Sequence, residues 1–354
     1  LKLVVAMSGG VDSSVAAAKL VAEGHEVIGL MLRLWAEPDC RDNRCCAPES
    51  VEQARAVANQ LGIPFYLLDY KKKFWDAVVE PFAQTYLAGE TPNPCLTCNK
   101  KIRFGALLDE ARALGGQKLV TGHYVRLEEN AGQYLLKKGL DPLKDQSYVL
   151  YQLSQAQLAG CMFPLGALEK SQTRALAKEY KLEVASKPDS QDLCFVGSGG
   201  YRGFLERIHG GAWQVGDFVD SQGKILGRHR GLPFYTVGQR RGLGISSDQP
   251  LYVTRLDVKQ NQVVLGGGEA RYSTWISLKE MHFQQDPTAY LGHPIAARIR
   301  YNAPEHPALL TKGQQGEFRL DFLKPVLDAT PGQGAVFYDQ DLVIGGGIIK
   351  EVGR

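Results

Sequence analysis

The chain has 354 residues, 44% of them apolar and 22% charged, with a formal net charge of +3. That balance excludes a disordered chain, and no apolar run approaches the roughly 20 residues of a membrane-crossing helix. The length predicts two or three domains rather than one core. The mild basic excess permits an RNA partner without arguing for one, because local patches decide such contacts. The amino-terminal run lacks the basic segment and long apolar stretch of a secretory leader, so the expected location is cytoplasmic, where thiols stay reduced. The seven cysteines are therefore read as buried, catalytic or metal-bound rather than as structural disulfides.

Leu3-Val4-Val5-Ala6 reads as a short buried strand, broken at Gly9-Gly10 and resumed at Ser13 as a helix through Leu20. Strand, glycine turn and helix start together make an anion site. Unpaired N–H groups and the positive helix end point into the turn, and glycine removes the Cβ that would hold an anion away. Ser8, Ser13 and Ser14 add hydroxyl donors. An ordinary βα turn capped by Asp12 or Ser13 is the plainer alternative.

Glu26–Leu32 is predicted as the second strand and Phe65–Leu68 as the third. Between them, Val51, Ala54, Val57, Ala58 and Leu61 share one face of a helix. Phe74–Leu87 is predicted helical with an interruption at Pro81. Ile102–Leu114 is predicted as a helix stopped by Gly115-Gly116, and Lys118–Thr121 as a strand running into Gly122-His123-Tyr124. The alternation predicts a doubly wound, mostly parallel α/β sheet. Ligands of such sheets sit beyond the carboxyl ends of the strands, a rim shared by Ser8–Ser13, Leu32 and Gly122.

Two prolines, Pro92 and Pro94, predict an irregular loop from Thr91 to Phe104 that carries Cys95, Cys98, Lys100, Lys101 and Arg103. Cys95 and Cys98 have a CxxC spacing, which alone fits half a zinc site, a redox pair or a cluster site. An iron–sulfur cluster on Cys95, Cys98 and Cys194 stays open as an alternative. Cys40, Cys45 and Cys46 are read as exposed thiols without a fixed role, and Cys161 as core. A second loop, Lys187–Phe195, closes the α/β part. From about Gly210, short β-rich runs alternate with Gly and Pro turns. Val264–Gly268 and Val343–Gly347 end alike and are read as strand ends or bulges. The predicted domains are 1–209, 210–268 (small and β-rich) and 269–354 (β-barrel-like).

Ser8-Gly9-Gly10-Val11-Asp12-Ser13-Ser14 resembles the PP-loop of ATP pyrophosphatases, which fold as HUP-like α/β sheets, and is neither of the commoner phosphate motifs. Further motifs follow in order: Asn93-Pro94, Cys98-Asn99-Lys100, Thr121–Tyr124, Lys144–Tyr148, Asp192–Phe195, Gly238–Ile245 and Thr330–Gln333. Over nearly the whole length they are similar to bacterial tRNA-specific 2-thiouridylases. That resemblance implies replacement of the 2-oxygen of the wobble uridine by sulfur in tRNAs for Lys, Glu and Gln. It implies that Ala6, Met7, Ser8, Gly9, Gly10, Val11, Asp12 and Ser13 bind ATP with Mg²⁺, with Leu32 and Gly122 beside the adenine. It further implies that Cys194 carries sulfur as a persulfide and that Cys98 is its partner nucleophile, the two later forming a disulfide. Asn93, Pro94 and Cys95 would face the target base, and His123, Lys144, Asp145, Gln146, Arg300, Tyr301 and Gln333 would contact tRNA. A cysteine desulfurase or sulfur-relay protein is the implied donor. One departure stands out: family members commonly carry Asp, with a proton-transfer role, where this chain has Cys95. Rival classes are a PP-loop amidotransferase or ligase acting on a small molecule, and a noncatalytic RNA-binding protein.

Overall fold

The computed structural model describes residues 1–35, 48–189, 193–197, 199–210, 213–313 and 316–353. They form two units. The first comprises Leu1–Val79, Pro94–Tyr201 and Asp341–Val343, and the second Glu80–Asn93, Arg202–Gln340 and Ile344–Arg354.

In the first unit, β1 (Lys2–Ala6), β2 (Glu26–Arg33), β3 (Phe65–Asp69), β4 (Lys118–Val120) and, after an intervening hairpin, β7 (Cys161–Met162) form one sheet. Its order is β3-β2-β1-β4-β7, and every pairing is parallel. Leu3, Val4 and Val5 are wholly buried, as expected of a central strand covered on both faces. Helix α1 (Val11–Ala22) packs its Val15, Ala16 and Ala17 into this core with Val51, Ala54, Val57 and Ala58 of α2 (Pro48–Leu61). Alanine lets α1 lie close to the sheet and its neighbours on several sides. The strand order runs one way from β1 to β3 and the other way to β4. The carboxyl ends of β1 and β4 therefore flank the topological switch point, where α/β sheets bind ligands.

The predicted elements hold with three corrections. The irregular loop expected around the CxxC is helical: α5 (Pro94–Thr97) continues as a π-helix over Cys98–Ala106 and then as α6 (Leu107–Ala113). Pro94 occupies the first helical position, where a missing N–H costs nothing. The break expected at Pro81 falls earlier. Lys71–Phe74 (α3) passes into a π-turn at Trp75–Val79, and Pro81 lies inside α4 (Glu80–Leu87), at its amino-terminal end. A hairpin, β5 (Val125–Asn130) with β6 (Gln133–Lys138), was not predicted. Its two turn residues, Ala131 and Gly132, both have positive φ, 49° and 80°, which matches the twist of tight hairpins. β6 also pairs through Lys137 with Leu342. Helices α7 (Gln155–Ala159) and α8 (Lys170–Glu179) complete what bears on the site.

The second unit contains a four-stranded sheet, order β10-β11-β8-β9, from β8 (Gly216–Val219), β9 (Ile225–His229), β10 (Tyr252–Asp257) and β11 (Gln262–Gly266). Phe218, Phe234, Val253, Val263 and Leu265 form its core. Beyond it, β12 (Tyr272–Phe283), β13 (Pro294–Arg298), β14 (His306–Lys312), β15 (Phe318–Leu327), β16 (Gly334–Asp339) and β17 (Leu342–Gly353) follow the order β12-β15-β14-β13-β16-β17. The β12–β17 pairing closes them into a barrel. The expected barrel is thus present. The glycines at 345–347 lie inside β17, with Gly345 and Gly346 paired to Phe283 and His282, so they are neither a strand end nor the bulge expected there. The extra residue at this register shift is on β12, between Lys279 and His282, where Glu280 has φ 52°.

Candidate active site

The turn after β1 is built for close backbone approach. Gly9 has φ +69°, and a Cβ there would lie 2.2 Å from the carbonyl oxygen of Ser50, at the start of α2. Gly10 caps α1 in an extended conformation, and no side chain makes a capping hydrogen bond to its first-turn N–H groups. The plainer alternative, a side-chain cap from Asp12 or Ser13, is therefore not what forms. Ser13 Oγ instead accepts from Ser8 N–H at 3.1 Å and shares a 3.1 Å hydrogen bond with Ser8 Oγ. Ser14 Oγ donates to the Gly10 carbonyl at 2.9 Å. The helix start is left as an anion site. On the other side of the switch point, a Cβ on Gly122 would lie 2.8 Å from the backbone carbon of Asp12 and 2.9 Å from the nitrogen of Ser13. Gly122 thus lets the β4 end press against the helix start. Leu32 is buried near the end of β2, two residues past the partner of Ala6. The structure therefore brings together Ala6–Ser13 and Gly122, with Leu32 on the same rim.

A charged network that the sequence reading missed stands against this turn. Lys170 Nζ, on a side chain only 11% exposed, donates to both oxygens of Asp12 at 2.7 and 2.8 Å. It also reaches Asp189 at 3.0 Å. Tyr124 OH donates to Asp12 Oδ1 at 2.8 Å, and burial and then the Asp12 charge raise its pKa. Asp189 additionally accepts from Lys144 Nζ and Arg174 Nη2, each at 2.8 Å. Burial opposes ionisation of Asp189, but the hydrogen bonds from Lys144 and Lys170 outweigh it and hold its pKa at about 2. Lys187, at the start of the second loop, donates to the Gly9 carbonyl at 2.9 Å and to Gln53 at 2.5 Å. With Asp12 engaged by Lys170 and Tyr124, the turn offers no protein cage for Mg²⁺. Among the described residues no group of three or more His, Cys, Asp or Glu can hold a metal.

Cys95 is exposed on α5, Cys98 is buried at the head of the π-helix, and Cys194 is half-buried in a turn; none of them is in a disulfide. A π-helix is uncommon and is frequent at functional sites. Beside Cys98, Asn99 is buried and donates to Val149 O at 3.3 Å. Cys194 is held through its neighbour: the Phe195 ring is buried, 5.7 Å from Phe74 and 6.4 Å from Trp35. Cys161 is buried, and its thiol is pushed up to about 12 by that burial. Cys40, Cys45, Cys46 and Asp192 lie outside the described residues.

The residues expected to meet tRNA are placed differently from one another. His123 is buried beside Phe104 and Phe163, with Nδ1 2.8 Å from Thr121 Oγ1, and burial takes its pKa down to about 3. It is neutral at physiological pH. Lys144 is bound to Asp189, as above. Asp145 spends both oxygens on its own loop, accepting from Gly139 N, Ser147 N and Ser147 Oγ at 2.9–3.0 Å. Gln146 accepts from Tyr124 N at 2.9 Å. In the second unit, Arg300 is exposed and Tyr301 half-buried, between β13 and β14. Gln333 Nε2 donates to Thr91 O at 2.8 Å, and Thr91 N donates to Pro331 O at 2.9 Å. Gln333 therefore lies close to the segment that leads to Asn93.

Residues 1–198 match the family model described as tRNA methyl transferase HUP domain. Residues 202–267 match its PRC-barrel domain, and 273–349 match an aminomethyltransferase beta-barrel domain. The chain is 46% identical to the tRNA-specific 2-thiouridylase MnmA 2 of Thermoanaerobacter sp., over 99% of this chain and 98% of that protein. It is 45% identical to tRNA-specific 2-thiouridylase MnmA of Moorella thermoacetica, over 99% of both. With MnmA of Magnetococcus marinus the identity is 46%, over 98% of both.

Proposed function

The chain belongs to the tRNA-specific 2-thiouridylase family, and from that footing we propose that it thiolates the wobble uridine of tRNAs for Lys, Glu and Gln with sulfur from a Cys194 persulfide. It is an ATP-using tRNA sulfurtransferase. The observation that carries the mechanistic reading is the uncapped start of α1 at the β1/β4 switch point, with Gly9, Gly10 and Gly122 clearing its surroundings.

The chemistry follows from leaving groups. The exocyclic 2-oxygen of uracil leaves poorly and AMP leaves well. The uridine 2-oxygen attacks the α-phosphorus of ATP, the N3 proton departs, and pyrophosphate leaves against the helix-start N–H groups. Three cations against two carboxylates at Asp12 and Asp189 leave a positive excess nearby to offset that charge. The terminal sulfur of the Cys194 persulfide then attacks C2, and AMP leaves with the former 2-oxygen. Cys98, as thiolate, attacks Cys194 Sγ and breaks the S–S bond. Sulfur stays on C2, N3 is reprotonated, and a Cys98–Cys194 disulfide remains for an external thiol to reduce. Mg²⁺ would travel on the phosphate oxygens of ATP, and a cysteine desulfurase or relay protein would reload Cys194. The target base must leave its stack to reach such a site.

The test combines the protein, ATP, Mg²⁺, a cysteine desulfurase with cysteine, and unmodified tRNA, followed by mass spectrometry of the nucleosides. 2-Thiouridine should appear only when ATP is present. ATP turnover without thionucleoside, unchanged in Cys98→Ser and Cys194→Ser, would instead identify a small-molecule ligase.

A further inference from the structure

We propose that Asp189 is a positioning residue that couples the phosphate turn to the Cys194 segment, so that the sulfur carrier responds to the nucleotide; this rests on reading Cys194 as that carrier. Two separate segments converge on a carboxylate carried by a third. Lys144 comes from the loop after β6, Lys170 and Arg174 lie four residues apart on one face of α8, and Asp189 itself precedes Cys194 by five residues. One cation would suffice to neutralise a half-exposed carboxylate. Here the middle cation, Lys170, is shared with Asp12 in the first turn of α1.

That sharing makes the arrangement responsive. A polyphosphate at the helix start brings negative charge beside Asp12, repelling that carboxylate and attracting Lys170. Any redistribution of Lys170 between its two carboxylates is felt directly at Asp189. The backbone there follows, because it is strapped to the same parts. Arg174 Nη1 donates to the carbonyls of Ala185 and Lys187 at 3.2 Å, and Lys187 Nζ reaches the Gly9 carbonyl. Lys187 and Asp189 therefore share their charges and hydrogen bonds with the phosphate turn. Lys144 adds the RNA side, since the cation expected to meet tRNA is the third partner of Asp189.

The experiment compares parent chain, Asp189→Asn and Asp189→Glu in two assays. The first follows iodoacetamide labelling of Cys194, by peptide mass spectrometry without tRNA, with and without ATP. The second separates kcat and KM for ATP in tRNA thiolation. In the parent chain ATP should change the Cys194 labelling rate. Asp189→Asn should lose that response and drop kcat by about tenfold or more with KM for ATP within about threefold, while Asp189→Glu restores much of both. Lys144→Gln, on the outer side of the network, should weaken the ATP response of labelling in the same assay, and it supplies the test should Asp189→Asn not fold. No ATP response in the parent chain overturns the proposal. So does an unchanged response in both Asp189→Asn and Lys144→Gln, or a kcat loss matched by an equal rise in KM. A parent chain that thiolates no tRNA at all would overturn the functional reading instead.

Discussion

Gly9→Ala is the sharpest test of the phosphate turn, because two independent penalties fall on one methyl group. The backbone at Gly9 has φ +69°, a left-handed conformation that costs an L-residue roughly 1–2 kcal/mol. The new Cβ would also lie 2.2 Å from Ser50 O and 2.9 Å from Ser50 C, where ordinary contact begins near 3.4 Å. Both are backbone atoms at the head of α2, so no side chain can swing away, and overpacking of this kind costs about 1–3 kcal/mol. The sum is about 3 kcal/mol, which corresponds to a fall of roughly 6–12 °C in the melting of a unit of this size. The turn must shift away from Ser50, so pyrophosphate release should drop with a raised KM for ATP. Gly10→Ala is the control. Gly10 is extended, and its Cβ would meet only Ser8 Oγ at 3.3 Å, so stability should change by less than about 1 kcal/mol. Differential scanning calorimetry and a pyrophosphate assay on the two variants decide the matter. Gly9→Ala melting within 2 °C of the parent, at about the parent's rate of ATP turnover, would refute the reasoning.

His123 should make stability depend on pH. Its folded pKa of about 3 lies below the ordinary histidine value of 6.5, so the stability is complete above pH 6.5 and is lost as pH falls towards 3, by at most about 1.4 kcal/mol per unit. His123→Gln should flatten this slope in urea titrations without abolishing it, since burial also lowers His229 and His306. Arg300→Ala should weaken tRNA binding several-fold and reduce the steepness of its salt dependence by about one ion, leaving KM for ATP unchanged; an unaltered salt slope would remove Arg300 from the RNA contact. Cys98→Ser and Cys194→Ser should both abolish thiolation, with only Cys194→Ser failing to take up labelled sulfur from the donor, while Cys95→Asp stays active. Activity that tracks iron content and disappears in Cys95→Asp would favour the cluster chemistry.

What the sequence made legible was local. The strand, the glycine pair and the helix start lie within a few residues, so their joint geometry is written in one short run. The network around it is not written that way. Lys170 is 158 positions from Asp12, and Gln333 is 242 from Thr91; an ion pair or hydrogen bond between distant segments leaves no periodic trace in either. The π-helix at Cys98 was lost for a different reason. Its apolar positions drift from the 3.6-residue period, so Ile102 looked like a helix start when the helix already ran from Pro94. Pro94 carries no clear signal in sequence, because proline at the first helical position opens a helix as readily as proline elsewhere ends one. The hairpin at Val125–Lys138 escaped because Glu128, Glu129 and Asn130 are exposed and polar, which leaves one strand half without an apolar alternation.

The described residues on either side of Cys194, Lys187 and Asp189 before it and Phe195 after it, are held by forces of different kinds. On the carboxyl side, Phe195 is buried among Trp35 and Phe74, and Trp35 stacks on Trp75 at 5.6 Å. Apolar burial does not depend on neighbouring charge. On the amino side, Asp189 and Lys187 are tied by ion pairs and charge-assisted hydrogen bonds, whose strength depends directly on neighbouring charge. A nucleotide bound at that turn, as proposed, would therefore act on one side only. The aromatic side serves as the fixed point about which the charged side can adjust. Weakening the aromatic side should then loosen Cys194 whether or not ATP is bound, whereas weakening the charged side should abolish the difference that ATP makes.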